Sequence, residues 1–403
     1  MTREEKSFET DILTQQIREF TRSYNKSSNK LREDNVSSLL NAVRELEAAV
    51  TPTEEWSCRL AAGYQSSIAM CLFLDWKIPS MMSKTEEATM SLDQLAETLN
   101  VSKGLVRCLM RECVMQQMLH EPSPEVYQLN RHSRGLLQEG FAAWVHYISD
   151  VGLRTGAYVS EYVSSISGRL LDCPHRTPFQ MGFQTEKTFY DYYDRFDKAR
   201  GARFDRSMEW QSVNQLPVEQ FFDFSQLPAG AVVVDIGGGK GHISLRIARQ
   251  HPQLSFVVQD YEVKSPTTTG DDDSRQLLQR VQWQAHSFLE RQPVQEADVY
   301  LMSNILMDRT LTDAREIIRH TARAMTPNKS LLLVDDLIDP KTAGIMSASA
   351  NWESLHMLAC FGTLAKSMEE WRNLFSQACP ELEIVEKFMI SAGRVCFVLR
   401  KTA

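Results

Sequence analysis

The chain has 403 residues, 43% hydrophobic and 24% charged, with a formal net charge of -8. That length predicts two domains, each able to bury its own core, and the composition is that of a soluble globular protein. Mild acidity without a basic tail argues against a nucleic-acid partner, and no apolar run approaches the ~18 residues of a membrane span.

The eight cysteines are scattered, with no CxxC pair and no zinc-like spacing. Free thiols in a reducing compartment are expected, and no metal site. The opening MTREEKSFETD lacks the apolar stretch of a secretory signal, so a cytoplasmic protein is expected.

Residues 1–35 are polar. From Val36 to Val50 apolar residues recur at helical spacing, Pro52 interrupts, and Trp56 to Leu74 reads as a second helix. The segment SLDQLAETLNVSKGLVRCLMREC, from Ser91, has a helix-turn-helix pattern: Ser91 caps, Asn100-Val101-Ser102 turns, and a second helix starts at Lys103. VYQLN, from Val126, predicts the strand of a wing. Such a winged helix either binds DNA, through Lys103, Arg107 and Arg111, or serves dimerisation and substrate closure. The acidic surroundings favour the second reading. Residues 138–215 are helical and dense in aromatics, Phe183 and Trp210 among them, which suits a core and the wall of an apolar ligand pocket.

From Ala231 the pattern alternates strand and helix: AVVVDIG, GGKGHISLRIARQ, LSFVVQD, ADVYLMSNIL, LTDAREIIRHTARAM and SLLLVDDLI. ELEIVEKFMI and RVCFVLRK close the chain as a hairpin. The alternation predicts an α/β fold, a mostly parallel doubly wound sheet with an antiparallel edge.

The first strand runs into Asp235-Ile236-Gly237-Gly238-Gly239-Lys240-Gly241. Glycines here let backbone approach a ligand, and the following helix offers free N–H groups. The spacing is GxGxG; a nicotinamide fingerprint would be GxGxxG. Asp235 at the strand end suits the methionine ammonium of S-adenosylmethionine (SAM), and Asp260, ending the second strand, suits the ribose hydroxyls.

VVVDIGGGKGHISLRIARQHPQLSFVVQD resembles the first two motifs of plant and fungal small-molecule O-methyltransferases. The resemblance continues through QPVQEADVYLMSNILMD, AMTPNKSLLLVDDLIDP and KSMEEW, and covers nearly the whole chain. It implies a homodimer with a helical, winged-helix-like dimerisation and lid domain over 1–215 and a Rossmann-like SAM domain over 216–403. It also implies a cofactor site of Asp235, Gly237, Gly239, Gly241, Asp260, Ser287, Phe288 and Ser303, with Ser287 where an Asp usually meets the adenine amine.

The resemblance breaks at the reacting end. The family reads Leu-His-Asp-Trp, its His being the base that activates a hydroxyl nucleophile. Here Leu306-Met307-Asp308-Arg309 stands there, and a thioether takes no proton at neutral pH. Of two acids that flank the His, one matches Asp336 and the other is lost, with Ala365-Lys366-Ser367 replacing Glu-Arg-Thr.

A branch of fungal O-methyltransferase-like proteins, the SAM-dependent pericyclases of leporin and pyridone-alkaloid type, has likewise lost the base. Resemblance to it implies dehydration of an alcohol to a quinone methide and hetero-Diels–Alder cyclisation of a polyketide or pyridone substrate, with SAM not consumed. His146 would then handle the proton, and Met307, Asp308 and Arg309 would contact the substrate. Trp210, Phe183, His356 and Met357 would line its pocket. An O-methyltransferase with a relocated base and an inactive scaffold are the alternatives.

Overall fold

The computed structural model describes residues 12–21, 33–84, 88–169, 176–214, 217–263, 272–339, 345–391 and 393–402. The expected boundary at 215/216, and Cys173, lie outside these residues. Two compact units divide at Trp56/Ser57. The first carries the helix Glu33–Val50, whose apolar positions Leu39, Leu40, Val43 and Leu46 are exposed.

The second unit, Ser57–Ala403, opens with the winged helix. Gly63 breaks the helix expected over Trp56–Leu74 into Thr53–Ala61 and Tyr64–Asp75, since glycine supports a helix interior poorly, by about 1 kcal/mol against alanine. The helix Leu92–Leu99 begins with Ser91 and Gln94 in a reciprocal capping box. Asn100 ends it at φ 53, a left-handed position that asparagine tolerates. Lys103–Met115 follows. Strands β1 (Thr89–Ser91), β2 (Leu119–Ser123) and β3 (Val126–Leu129) form an antiparallel wing in the order β1-β3-β2. Two of the three cations that suggested DNA binding are spent locally: Lys103 pairs with Asp93 at 2.7 Å and Arg107 with Glu125 at 2.6 Å.

Next come Glu139–Gly156, Pro178–Gly182, Phe189–Arg195 and Lys198–Asn214. They share with the later helix Ile345–Phe361 a cluster centred on Tyr147, Phe179, Phe189, Tyr193 and Cys360.

The α/β part is a seven-stranded sheet in the order β6-β5-β4-β7-β8-β10-β9. Its strands are β4 (Val232–Ile236), β5 (Ser255–Asp260), β6 (Val281–Ala285), β7 (Val299–Ser303), β8 (Leu331–Leu337), β9 (Leu382–Ser391) and β10 (Arg394–Lys401). β4 to β8 pair in parallel, and the closing hairpin adds the antiparallel edge as expected. Strand β6, VQWQA, went unread in the sequence because its polar alternation hides a parallel strand at the edge of the sheet. Apolar clusters cover both faces, around Tyr300, Ile317 and Trp371 on one and Phe224, Ile247 and Phe256 on the other. The strand order reverses between β4 and β7, which places the ligand crevice at their carboxyl ends. Among the described residues no helix is long and apolar enough to cross a membrane.

Candidate active site

The glycine loop leaves β4 at this crevice. Gly237, Gly239 and Gly241 hold φ of 72°, 55° and 78°, where a side chain is strained. A Cβ on Gly238 would lie 2.6 Å from the Asp235 carboxyl, so the loop closes directly over the acid. Asp235 accepts from the Ser244 hydroxyl at 2.7 Å. Burial pushes its pKa up to about 6, with the Asp260 charge acting in the same direction. Asp260 accepts from the Gly239 N–H at 3.0 Å and the Tyr261 N–H at 2.8 Å, which fixes the strand-end acid against the loop. Ser303, at the end of β7, donates to Asp335 at 2.8 Å. A tight glycine turn that lets backbone approach a ligand, with two carboxylates beside it, fits a nucleoside carrying an ammonium group. Asp235 would hold the amino end of SAM and Asp260 its ribose.

The loop after β7 carries the reacting end. Its backbone is held from below: Leu306 N–H donates to Asp336 at 2.9 Å, and Lys366 Nζ donates to the Leu306 carbonyl at 2.8 Å. The Thr363 hydroxyl donates to the Met307 carbonyl at 2.8 Å. Burial raises the Asp336 pKa to about 6, against the opposing pull of Lys366. Burial also lowers the Lys366 pKa, opposed by Asp336. Met307 itself offers a thioether, which takes no proton at neutral pH where the family has an imidazole.

Asp308 is 8% exposed and accepts from the Tyr190 hydroxyl at 2.5 Å. Arg309 Nε lies 3.1 Å from the other carboxylate oxygen. The Arg309 guanidinium sits between two rings, 5.1 Å from the Tyr190 centroid and 4.9 Å from that of Phe288. Burial is the largest single influence on Arg309 and works against its charge, but Asp308, Tyr190, Asp313 and Asp260 together raise its pKa. One cation therefore joins the aromatic lid, the loop of Ser287 and Phe288, and the position of the missing base. Tyr190 was not singled out in the sequence: within FYDYYDR no spacing distinguishes it from its neighbours. Lys366 had a signal, being the cation left where a family Arg stands.

The other expected residues fall into separate groups. His146 lies between Asp75 and Arg203, with Nε2 2.7 Å from Asp75 and Nδ1 2.5 Å from Arg203. A guanidinium only donates, so Nδ1 accepts and the ring proton sits on Nε2. Its neighbour Tyr147 faces the other way and meets His356, hydroxyl to Nε2 2.8 Å. Burial lowers the His356 pKa to about 4, which keeps the ring neutral at physiological pH. Met357 is buried beside it. Phe183 stacks on Phe179 at 4.5 Å, and Trp210 packs against Trp144 and Phe141 while donating to Gln138 at 3.1 Å. Among the described residues no group of His, Cys, Asp or Glu is arranged to hold a metal ion.

Comparison with known proteins agrees with this geometry. Residues 169–379 match the O-methyltransferase domain and residues 58–139 the O-methyltransferase dimerisation domain. Over 369 residues the chain is 46% identical to N-methyltransferase nanE of Aspergillus nanangensis, covering 91% of each protein. It is 33% identical to O-methyltransferase xanE of Aspergillus fumigatus, covering 87% of this chain and 81% of that protein. Among solved structures, LepI in complex with SAM superimposes with a TM-score of 0.78 at 18% identity, over 98% of this chain and 100% of that one. OxaC in complex with sinefungin and meleagrin gives 0.78 at 19% identity, over 96% and 98%. At such identities the structural likeness speaks for the fold alone. The glycine cradle, the dimerisation region and the relatives together place this chain in the SAM-dependent O-methyltransferase family.

Proposed function

We propose that this protein is a homodimeric, cytoplasmic, SAM-dependent methyltransferase that methylates a nitrogen atom of a small aromatic metabolite. The observation that carries the reading is Met307 in place of the base, beside the glycine loop with its strand-end acids Asp235 and Asp260. SAM, when bound, supplies an electrophilic methyl group. A phenol or alcohol must lose its proton as it attacks such a carbon, which is why the family keeps a histidine there. A neutral amine already presents a lone pair, and its extra proton leaves afterwards to water or a carboxylate. The nanE relative, named an N-methyltransferase, supports this choice over methylation of oxygen.

The chain's own residues supply the rest. The ring-lined region around Tyr147, Phe183 and Trp210 offers flat faces for a planar acceptor and excludes water. Met307 gives the acceptor an adaptable apolar contact beside the reacting nitrogen. Neutral His356 is suited to orient a carbonyl or N–H rather than to remove a proton. Within this reading residues 1–215 form the dimerisation and lid part, and residues 216–403 the cofactor part. Ser287, Phe288 and Ser303 complete the adenosine end.

The missing base also supports a second reading, the pericyclase. There, Asp308 and Arg309 would polarise a substrate oxygen, His146 would assist loss of water, and SAM would act as a fixed cation. The test is purified protein with SAM and, separately, an arylamine, a phenol and a dehydration-prone pyridone alcohol, followed by mass spectrometry. A gain of one methyl on the arylamine, with matching S-adenosylhomocysteine, is the expected result. Loss of water to a cyclised isomer with SAM unconsumed would give the pericyclase instead. Methylation of the phenol alone would point to a displaced base.

A further inference from the structure

Three glutamines lie at the edge of the cofactor cradle where apolar side chains would pack more simply. Gln259, the penultimate residue of β5, is 1% exposed, and Gln292, on the loop that follows Ser287 and Phe288, is 2% exposed. Their amides bond reciprocally: Gln259 Nε2 donates to Gln292 Oε1 at 2.8 Å, and Gln292 Nε2 donates to Gln259 Oε1 at 2.8 Å. The second Gln259 proton goes to Gln284 Oε1 on β6, also at 2.8 Å. Gln292 Oε1 accepts in addition from Val294 N–H at 3.0 Å.

A buried amide is costly unless it is hydrogen-bonded, and here each amide nitrogen and oxygen of Gln259 and Gln292 has a partner. What the cost secures is shown by the backbone. The Gln259 carbonyl accepts from Gly238 N–H at 3.0 Å, and the next residue, Asp260, accepts from Gly239 N–H at 3.0 Å. One residue thus grips the glycine loop through its main chain and the Ser287–Phe288 loop through its side chain. The two loops meet at the cradle, where the Phe288 ring lies 3.7 Å from the place a Cβ on Gly237 would take. Register between β5 and β6 alone would need only the bond to Gln284.

We propose that the reciprocal Gln259–Gln292 amide pair is the positioning element that sets the spacing between the glycine loop and the Ser287–Phe288 loop, and so sets affinity for the adenosine end of the cofactor. The proposal rests on SAM binding by this family and is independent of which atom is methylated.

The test is calorimetric binding of S-adenosylhomocysteine and of 5′-methylthioadenosine to the full chain, well below its melting temperature. The variants are Gln259→Leu, Gln292→Leu, the double variant, and Thr321→Ala as a control. Thr321 is buried with its hydroxyl on the Ile317 carbonyl, in the helix Leu311–Ala324. Each single glutamine variant is expected to weaken both ligands at least about tenfold, because a lone buried amide is left unpaired and the tether is cut. The double variant should lose no more affinity than either single one, since the two residues act as a unit. Thr321→Ala should lower the melting temperature with affinity unchanged within about twofold. Should the leucine variants not fold, Gln292→Glu takes their place: its protonated form can replace both amide bonds, and its ionised form only one. Affinity within twofold of wild type in every glutamine variant, despite a lowered melting temperature, would overturn the proposal and leave the pair a purely structural bond. Failure of the wild-type protein to bind S-adenosylhomocysteine would remove the cofactor assignment itself, a different result from selective loss in the variants.

Discussion

The two halves of the active site, at the ends of the adjacent strands β4 and β7, are built in different ways. The cofactor half is made of backbone: three glycines at positive φ, N–H groups, and two strand-end acids held by short bonds. The reacting half is made of side chains from distant segments, Tyr190, Phe288, Asp308, Arg309, Thr363 and Lys366, gathered on one loop. Backbone geometry tolerates few substitutions, so that half stays close to its family pattern. Side-chain chemistry can be exchanged piece by piece, and here the proton-removing imidazole has been exchanged for a thioether. The contrast teaches that cofactor binding and choice of reaction are separable in this fold.

The sharpest way to break the comparison is to strike the backbone half. Gly238→Ala puts a methyl group within 2.6 Å of the buried Asp235 carboxyl, which Ser244 holds in place. Calorimetry should show S-adenosylhomocysteine affinity falling at least about a hundredfold, ~2.7 kcal/mol. Met307→Ala, on the other half, should leave that affinity within about threefold. Equal losses from both would dissolve the distinction.

Protonation offers the next test. Asp235 binds a cation only when ionised, and burial puts its pKa at about 6. Cofactor affinity should therefore fall as pH drops below about 6, approaching a tenfold loss per unit, and Asp235→Asn should flatten the profile. Stability runs the other way for the same groups. Asp235 and Asp336 both have folded-state pKa values raised to about 6 by burial. The folded state takes up protons before the unfolded state does, so their contribution to stability grows as pH falls from about 6 toward the ordinary carboxylate range. It is lost again as pH rises through 6. Urea unfolding of wild type and Asp235→Asn at pH 7 and pH 5 checks the sign: the wild type should gain on the variant at the lower pH.

The same difference explains what could be read from the sequence. Ser91 with Gln94, the glycine loop, Asp235 and Asp260 are local signals, in which neighbouring residues state their own backbone conformation. The strand-helix order and the closing hairpin followed from local periodicity. Strand β6 did not, because Gln282 and Gln284 interrupt its apolar run and the Gln284 side-chain oxygen accepts from Gln259, a partner on another strand. Gly63 cuts a helix that hydrophobic spacing alone would continue. Tyr190 is 118 residues from Asp308, and no pattern in FYDYYDR could announce that pair. Where His146 sits, between Asp75 and Arg203, depends likewise on contacts made over long separations.

Within the reacting half, Asp308→Asn should destabilise the protein by about 2 kcal/mol, because Arg309 is left buried between two rings without its anion. Tyr190→Phe should cost about 1.5 kcal/mol, the low end for a hydrogen bond to a charged acceptor. In the double variant the two losses should not add, since both act on one carboxylate, and chemical denaturation of the set would show this coupling. Full additivity would mean that Tyr190 and Asp308 support the loop independently.

The smallest expected effect comes from replacing the lost base. Met307→His restores an imidazole next to Asp308, on a loop whose backbone remains fixed by Asp336, Thr363 and Lys366. If the imidazole were the whole difference, phenols would become good acceptors. The second acid that orients such a base is absent, with Ala365 in its place, and Asp308 is already engaged by Tyr190 and Arg309. An unoriented imidazole recovers only part of the ~100-fold that a positioned base contributes. Methylation of a phenol should therefore appear in the variant at about a tenth or less of the arylamine rate, rising with pH as the imidazole loses its proton. Phenol turnover equal to that of the arylamine would show that the base alone decides the acceptor atom.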